Sequence, residues 1–331
     1  MAKTSKLDKE KRNKNQHKTI VSWILNNLKF IIIPGSKLET LTLKENKYEK
    51  DLSKRKLINR FKSPVTIIGI IFILVILSIA VFESWISPYS YGEALMRSPL
   101  RFLPPSPQHP LGTTRYGNDV LARIIFGTRT CLIIVFFSVI ISIVIGIPLG
   151  LISAYFGGWL DLIIMRIMEL LLSFPGVILA ITILIIWQPT IVNLIIVFGF
   201  IGIPYYTRTM RNAVLKVKDL PYINAAKLMG ANKTRILFRH ILPNSIQPII
   251  ISLSYNIGRT LINLSILAFL GLNDPRWIDW GTDIAQARRY ILSAPWWILG
   301  PSLMILITVI GFYLLGDGLQ DALDPKMKNL K

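Results

Sequence analysis

The chain has 331 residues, of which 52% are apolar, and its mean hydropathy is +0.50. Because soluble domains are about 45–50% apolar, this composition indicates that apolar residues are concentrated in particular segments. The formal net charge of +20 indicates attraction to anionic lipid, with nucleic acid as the alternative partner. The single cysteine, Cys131, excludes a disulfide or a thiolate metal cluster within the chain.

The N-terminal segment is polar and rich in lysine, and we predict that residues 1–62 form a cytoplasmic basic tail. Residues 1–18 are predicted to be disordered. A helical stripe of apolar side chains follows, formed by Ile20, Ile24, Leu28 and Ile31. We interpret this stripe as an interfacial helix on the inner leaflet, with a partial span as the alternative. A charged linker, residues 38–62, leads into the first span.

Long uncharged runs follow this tail. They are Val65–Phe82, Cys131–Leu160, Leu170–Thr207, Ile241–Gly258 and Tyr290–Gly316. A helix needs about 20 residues to cross a hydrocarbon core of ~30 Å, so these runs are predicted to cross a membrane. The 38-residue run 170–207 would measure about 57 Å as one helix, which is too long for one crossing, so we predict a turn at Gln188–Thr190.

The predicted fold class is therefore all-α, a polytopic membrane protein with six transmembrane helices. The spans are predicted at about 65–86, 131–153, 163–187, 191–209, 246–270 and 297–316. In the second span, Gly146, Pro148 and Gly150 alternate, which indicates either close packing or a bend. The Pro-rich segment before that span is predicted to be extended at Leu103–Pro110 and helical at Asn118–Phe126.

Basic residues are unevenly distributed between the segments that join the spans. Residues 1–64 hold 17 basic and six acidic residues, and the stretch Arg208–Arg239 holds eight basic residues and one acid. By contrast, residues 87–128 hold four basic and two acidic residues, and residues 271–296 hold three of each. The positive-inside rule then places both termini and the Arg208–Arg239 stretch in the cytoplasm.

The predicted organisation has four parts. Residues 1–62 form the basic tail, 63–128 the first span and an external Pro-rich segment, 129–320 a core of five spans, and 321–331 a cytoplasmic C-terminal tail. The core contains a cytoplasmic loop at 211–244, which carries the clearest helix signals outside the spans.

Two short helices are predicted in that loop. Asp219 is a candidate cap for the first helix, which has Pro221 in its first turn. Gly230 lies where a left-handed C-terminal cap belongs. Asn232 is a candidate cap for the second helix, and Pro243 is predicted to stop it.

Small residues share one face of the first helix in this loop. Ala225 and Ala226 lie in the middle of the helix, and Gly230 lies four residues after Ala226. Side chains four apart lie on the same helical face, so another backbone could approach this face closely. We therefore predict a docking surface at this face.

Few charged residues lie in the predicted spans. Arg166 and Glu169 are three apart near the start of the third span and are predicted to form an ion pair at the cytoplasmic boundary. Arg259 interrupts the fifth span with no acidic neighbour in the sequence. An intramembrane charge marks a candidate functional residue facing protein or water, while contact with carbonyl groups in a subunit interface is the alternative.

The loop resembles the cytoplasmic coupling loop of ATP-binding-cassette (ABC) importer permeases. The stretch N-A-A-K-L-M-G followed by H-I-L-P resembles the pattern E-A-A-x-x-x-G followed by a spaced L-P. Further stretches in order resemble the peptide- and nickel-type permeases, and these are His109–Arg129, Gly157–Glu169, Phe269–Leu272, Ala294–Trp297 and Leu314–Lys326. The chain departs from the pattern at Asn224, where glutamate is common, and at Leu264, where many relatives carry an acid.

The resemblance implies the type I ABC importer permease fold and a role as the second permease chain of the pair. It implies a homologous second permease subunit, two ABC ATPase subunits and an extracytoplasmic substrate-binding protein as partners, in the plasma membrane of a prokaryote. It also implies that ATPase coupling involves Asn224, Ala225, Ala226, Gly230, Leu242 and Pro243. No catalytic residue, cofactor or metal site is predicted: the chain has no G-x-x-x-x-G-K-[ST] phosphate loop, and His17, His109 and His240 lie in separate regions.

Two other functions compete with ATP-driven transport. A secondary transporter or channel would use Arg259 and Glu169 in an ion path, but few ionisable groups lie in the spans. A membrane-tethered nucleic-acid binder would use the basic loop, which lacks a third helix to bury a core. We therefore expect a transport subunit with no nucleic-acid partner, for peptides, nickel or another small solute.

Overall fold

A computed structural model describes residues 63–274 and 276–323, and these residues are helical with turns and no β-strand. The interfacial helix predicted around residues 20–32 and most of the predicted C-terminal tail lie outside these ranges. The spanning and connecting helices on the N-terminal side are α1 (Pro64–Val81), α2 (Glu83–Ile86), α3 (Tyr91–Leu95), α4 (Val120–Phe156), α5 (Gly158–Leu172), α6 (Gly176–Trp187) and α7 (Ile191–Val217).

The basic loop and the C-terminal side follow α7. They comprise α8 (Pro221–Leu228), α9 (Lys233–Arg235), a π-helical segment (Ile236–Ile241), α10 (Leu242–Ser245), α11 (Gln247–Phe269), α12 (Trp280–Ala287), a 3₁₀ turn (Arg288–Tyr290) and α13 (Pro295–Leu323). The turn predicted at 188–190 is confirmed, because α6 ends and α7 begins on either side of it. Gln188 adopts a positive φ of 63° at this turn.

Five of the described helices, α1, α4, α7, α11 and α13, are long and apolar enough to cross a membrane. The consecutive helices α5 and α6 make a sixth candidate when they are taken as one broken span, with a bend of 82° between them. The span predicted at 163–187 therefore corresponds to two helices joined by a bend, rather than to one continuous helix. Pro175 explains the break, because proline lacks an N–H and disfavours helical backbone at the residue before it, Phe174.

Helix α4 is longer than the sequence predicts. The short helix predicted at 118–126 and the span predicted at 131–153 are one helix of 37 residues, which is about 55 Å long. It begins where the Asp119 carboxylate accepts a hydrogen bond from the backbone N–H of Ala122, at 2.7 Å. Helix α4 therefore crosses the boundary predicted at residue 128, and α13 likewise continues past residue 320 to Leu323.

Glycines allow α4 and α7 to pack at close range. A Cβ atom at Gly146 would lie 2.8 Å from the Cβ of Tyr206, and one at Gly150 would lie 2.4 Å from the carbonyl oxygen of Thr207. Pro148 lies between these glycines without ending α4. The alternating small residues of the second span therefore serve close helix packing, as is common in membranes.

Polar residues on α7 and α4 also contribute to this seam. The Ser142 hydroxyl donates a hydrogen bond to the carbonyl of Gly199 across the two helices, at 2.7 Å. A Cβ atom at Gly202 would collide with Ser142, and one at Gly199 would collide with Ile141. Because glycines lie on both helices, α4 and α7 form a closely packed pair, and α7 leads directly into the basic loop.

A buried ion pair joins the N-terminal end of α4 to α12. The Arg123 guanidinium Nε lies 2.8 Å from Oδ1 of Asp283, and the two side chains are only 9% and 1% exposed. The Trp280 indole donates a hydrogen bond to the carbonyl of Ile124 at 3.0 Å, and the Trp297 indole lies 3.4 Å from Asp283. These contacts attach α12 and the start of α13 to the N-terminal end of α4.

Breaking this ion pair should destabilise the fold. Removing one partner of a buried pair leaves an uncompensated charge and costs about 3–5 kcal/mol. We expect Arg123→Gln to lower the thermal midpoint of the purified complex, measured by fluorescence-detected gel filtration after heating. The control is Arg166→Gln, because the Arg166–Glu169 pair is exposed and such pairs are worth about 1 kcal/mol or less. Equal midpoints for the two variants would contradict this account.

Candidate coupling site on the basic loop

Helix α8 begins at a different residue from the one predicted. Its N-cap is Leu220, whose side chain accepts no hydrogen bond, and the predicted cap Asp219 lies one residue earlier. The reason is Pro221, because the residue before a proline favours extended backbone, and Leu220 has φ −66° and ψ 148°. The carbonyl of Asp219 instead accepts a hydrogen bond from the Asn224 side chain at 3.3 Å.

The C-terminal end of α8 is as the sequence predicts. Gly230 has a φ of +78°, in the left-handed region that favours glycine. The backbone N–H of Gly230 donates to the carbonyl of Lys227 at 3.0 Å, and that of Ala231 donates to Ala226 at 3.1 Å. These bonds satisfy the last carbonyls of α8 and reverse the chain direction towards α9.

The second helix of the loop starts at the predicted residue but continues beyond the predicted stop. The Asn232 side chain accepts a hydrogen bond from the backbone N–H of Arg235 at 2.8 Å. The chain then forms the π-helical segment and α10, so Pro243 lies inside the first turn of α10 and does not end the helical path. The predicted stop at Leu242 and Pro243 is therefore wrong.

The π-helical segment explains how Pro243 is accommodated. The backbone N–H of Leu242 donates to the carbonyl of Leu237, five residues earlier. Pro243 follows this wide turn and occupies the first turn of α10, where a missing N–H leaves no helical hydrogen bond unmade. Only Ile246 separates α10 from α11, so the helical path reaches the fifth candidate span almost without interruption.

The predicted small residues lie together at one groove between α8 and the π-helical segment. This groove has a volume of about 470 Å³. Its lining residues are Ala225, Ala226, Met229, Gly230, Ala231, Arg235, Arg239 and His240. A Cβ atom at Gly230 would meet no other atom of the chain within 4 Å, so the groove is open there.

The remaining predicted coupling residues lie around the groove. Asn224 is exposed on α8, and its side-chain oxygen accepts a hydrogen bond from Lys227 at 3.2 Å. Leu242 packs partly against the core, and Pro243 lines a neighbouring depression. The basic wall formed by Arg235, Arg239 and His240 was not singled out from the sequence, although the excess of basic residues in this stretch is its signal.

A buried side chain attaches α8 to the rest of the loop. Ile223 is fully buried and belongs to the same apolar core cluster as Ile236, Leu237 and Ile241 of the π-helical segment. Helix α8 also contacts the π-helical segment directly, so the two walls of the groove pack together, and their apolar core extends to the start of α11.

Further contacts attach this unit to the C-terminal ends of α4 and α13. The Lys218 ammonium donates to the carbonyl of Ala154 at 3.0 Å. The Lys233 ammonium lies 5.6 Å from the centre of the Phe156 ring, a cation–π distance. The Gln247 side chain donates to the carbonyl of Leu323 at 2.6 Å, which connects the start of α11 to the end of α13.

Large apolar side chains project from the end of α8. Leu228 is 89% exposed and Met229 is 87% exposed, beside the small residues of the groove. Apolar groups that cluster next to a groove on an otherwise basic surface mark an interaction site. The loop therefore combines a rigid support, an open small-residue groove and exposed apolar anchors.

Arg259 lies on the surface of this chain, in the middle of α11. The predicted position of Arg259, facing protein or water or contacting carbonyl groups in a subunit interface, stays a prediction. The predicted pair of Arg166 and Glu169 is confirmed at 2.8 Å, so Glu169 has its own cation. Leu264 is buried in the core on a different face of α11.

Residues 146–329 match the family described as the binding-protein-dependent transport system inner membrane component. The chain belongs to this family. It is an ABC importer permease, and its helices form the type I importer permease fold. The family assignment places it as a multi-pass protein of the inner membrane and as a transport component.

Curated relatives are similar to this permease over most of their length. The dipeptide transport system permease protein DppC of Alkalihalophilus pseudofirmus is 38% identical over 269 residues, covering 81% of this chain and 88% of that protein. The glutathione transport system permease protein GsiD of Pectobacterium atrosepticum is 41% identical over 260 residues, covering 78% and 86%. The di/tripeptide transport system permease protein DppC of Pseudomonas aeruginosa is 37% identical, covering 79% and 88%.

Proposed function

We propose that this permease moves short peptides or a related small solute into the cell by alternating access, driven by ATP hydrolysis in separate subunits. The names of the relatives, which are dipeptide, di/tripeptide and glutathione permeases, support a peptide-like solute. The absence of a phosphate-loop motif from the sequence supports a separate site of hydrolysis. Nickel or another small solute is the alternative cargo.

The groove on the basic loop is the proposed docking site for an ATPase subunit. Ala225, Ala226 and Gly230 leave room for a close backbone approach, and Leu228 and Met229 offer exposed apolar contacts. The basic wall of the groove favours a partner with an acidic surface, because complementary charges speed and orient association. The open groove beside rigidly packed Ile223 is the observation that carries this proposal.

The same geometry supports a mechanism for coupling. Closure of the ATPase dimer would displace α8, and the buried Ile223 contact would transmit this displacement to the π-helical segment and then to α11. Such a rigid-body movement of packed helices is a common way to switch between two conformations. ATP binding would thereby shift the permease between its inward-facing and outward-facing states.

The proposed complex has further subunits. A homologous second permease chain would complete the pathway, two ABC ATPase subunits would dock on the cytoplasmic loops, and an extracytoplasmic binding protein would deliver the solute. Asn224 would contribute less than a glutamate at the same position, because it carries no charge and already contacts Lys227.

Substitutions in the groove should uncouple ATP hydrolysis from transport. Gly230→Val introduces a β-branched side chain at a positive φ, and Ala226→Trp fills the groove. We expect both variants to assemble and insert, but to lose the stimulation of ATPase activity by the solute-loaded binding protein and to lose uptake. Both activities would be measured in proteoliposomes that contain the complete transporter.

Two control variants separate the causes of any loss. Gly230→Asn tolerates the left-handed backbone yet adds a side chain, so it should keep the loop stable and still weaken stimulation. Lys216→Trp introduces the same side chain as Ala226→Trp, but at an exposed residue of α7 outside the groove, so it should leave stimulation unchanged. Normal stimulation and uptake with both Gly230→Val and Ala226→Trp would refute the docking role.

The proposed orientation places both termini and the basic loop in the cytoplasm. A maleimide that cannot cross membranes should fail to label Ala225→Cys or Leu330→Cys from outside sealed cells. It should label Leu292→Cys, which lies in the exposed segment before α13. The native Cys131 is buried and gives no background, and labelling of positions 225 and 330 from outside would contradict the orientation.

A further inference from the structure

One face of α11 carries an arginine at membrane depth. Tyr255, Arg259, Ile262 and Ile266 follow one another along this face at helical spacing. Arg259, Ile262 and Ile266 are exposed, and Tyr255 is half-buried. Arg259 lies near the middle of the 23-residue helix, and its side chain has no ion pair or hydrogen bond among residues 63–274 and 276–323.

An acidic residue of α13 lies next to Tyr255, at one end of this face of α11. The Tyr255 hydroxyl donates a hydrogen bond to the Asp317 carboxylate of α13. The Tyr255 ring lies against Gly316, where an added Cβ would come within 2.9 Å of it, and it meets the Tyr313 ring at 5.7 Å. Asp317 is exposed and has no cationic partner in the part of the chain that the structure describes.

The arginine and the aspartate are therefore opposite charges on two helices in contact, and Tyr255, which lies one turn before Arg259, binds Asp317. A charged side chain at the centre of a bilayer costs about 2.5–3.5 kcal/mol on insertion scales, so Arg259 faces protein or water in the working complex. A guanidinium binds a carboxylate through two parallel hydrogen bonds. An exposed aspartate suits an ammonium group.

We propose that Arg259 and Asp317 bind the two ends of a zwitterionic short peptide during its passage, which rests on the proposed peptide transport. Arg259 receives the C-terminal carboxylate, and Asp317 receives the N-terminal ammonium. Tyr255 positions the Asp317 carboxylate through its hydroxyl group. The required ligand class is thus a small solute with a free carboxylate at one end and a free amine at the other.

Binding of three related probes tests the carboxylate half of this site. Alanyl-alanine, its C-terminal amide and its N-acetyl form would be titrated by saturation-transfer NMR against the complete nucleotide-free transporter in nanodiscs, without the external binding protein. In the wild type, the free dipeptide should bind about tenfold more tightly than the amide, because a hydrogen-bonded charge pair is lost in the amide. Arg259→Gln should lower the affinity for the free dipeptide to that for the amide and leave the affinity for the amide unchanged. Arg259→Lys should keep part of the preference for the free dipeptide.

Binding of the free dipeptide and of its N-acetyl form tests the predicted ammonium contact at Asp317. Asp317→Asn should weaken binding of the free dipeptide and leave the N-acetyl form unchanged. Arg166→Gln, at an exposed arginine already paired with Glu169, is the control and should change neither affinity. If Arg259→Gln fails to assemble, Arg259→Lys and Asp317→Asn still decide the result.

Some results would overturn the inference. One is that the wild type binds the amide as tightly as the free dipeptide. Another is that Arg259→Gln weakens the binding of both ligands equally, as expected if Arg259 contacts the second permease chain. Uptake by the wild type with its binding protein is measured separately. Absence of peptide uptake would refute the proposed solute, whereas peptide uptake with no effect of Arg259→Gln on probe binding would refute this inference alone.

Discussion

The packing of α8 on the π-helical segment, with Ile223 buried in the apolar core that both share, is the interaction on which the coupling site depends. Without it, α8 would be a short helix on a flexible connection, since eight residues form too few helical hydrogen bonds to be stable alone. With it, α8, the groove and the start of α11 share one apolar core. A displacement of the exposed end of α8 would then be transmitted through packed side chains to a membrane span.

The packed membrane helices support the basic loop at its start. Helices α4 and α7 pack closely through glycines on both sides of their seam, and Lys218 connects the end of α7 to the end of α4. At the opposite end of α4, the buried pair of Arg123 and Asp283 attaches α12. The loop therefore starts from a rigid pair of helices, and it returns through α11 to the face that carries Arg259.

Much of this arrangement follows from local sequence signals. Uncharged runs identified the spans. Gly230 and Asn232 identified the C-terminal cap of α8 and the start of α9, because each acts locally, Gly230 through its backbone geometry and Asn232 through its side-chain hydrogen bond. Ala225, Ala226 and Gly230 were recognised as one face from their spacing alone. The loop and the later motifs resemble those of ABC importer permeases, and this resemblance identified the family to which the chain belongs.

Other features depend on contacts that spacing does not reveal. Helix α8 has its N-cap at Leu220 because the preference for extended backbone before Pro221 outweighs capping by the side chain of Asp219. The passage of the helix through Pro243 depends on a π-helical segment that no local propensity predicts. The break at Pro175 was visible in the sequence, but hydrophobicity over 163–187 obscured it. The exposure of Arg259 could not be predicted, because helical spacing does not say which neighbouring helices cover a face.

The rigid connection between α8 and α11 is tested most directly by a distance measurement across it. Spin labels at Leu228→Cys and Ile262→Cys, both exposed positions, would report this distance by double electron–electron resonance in the complete transporter. A second pair, joining Ile262→Cys to a span of the partner permease, would verify that the transporter switches when ATP is trapped. The account predicts that the Leu228–Ile262 distance changes by less than about 2 Å, the scale of ordinary helix shifts, while the second distance changes. A larger change between Leu228 and Ile262 would show that α8 moves independently of α11 and would contradict the proposed transmission.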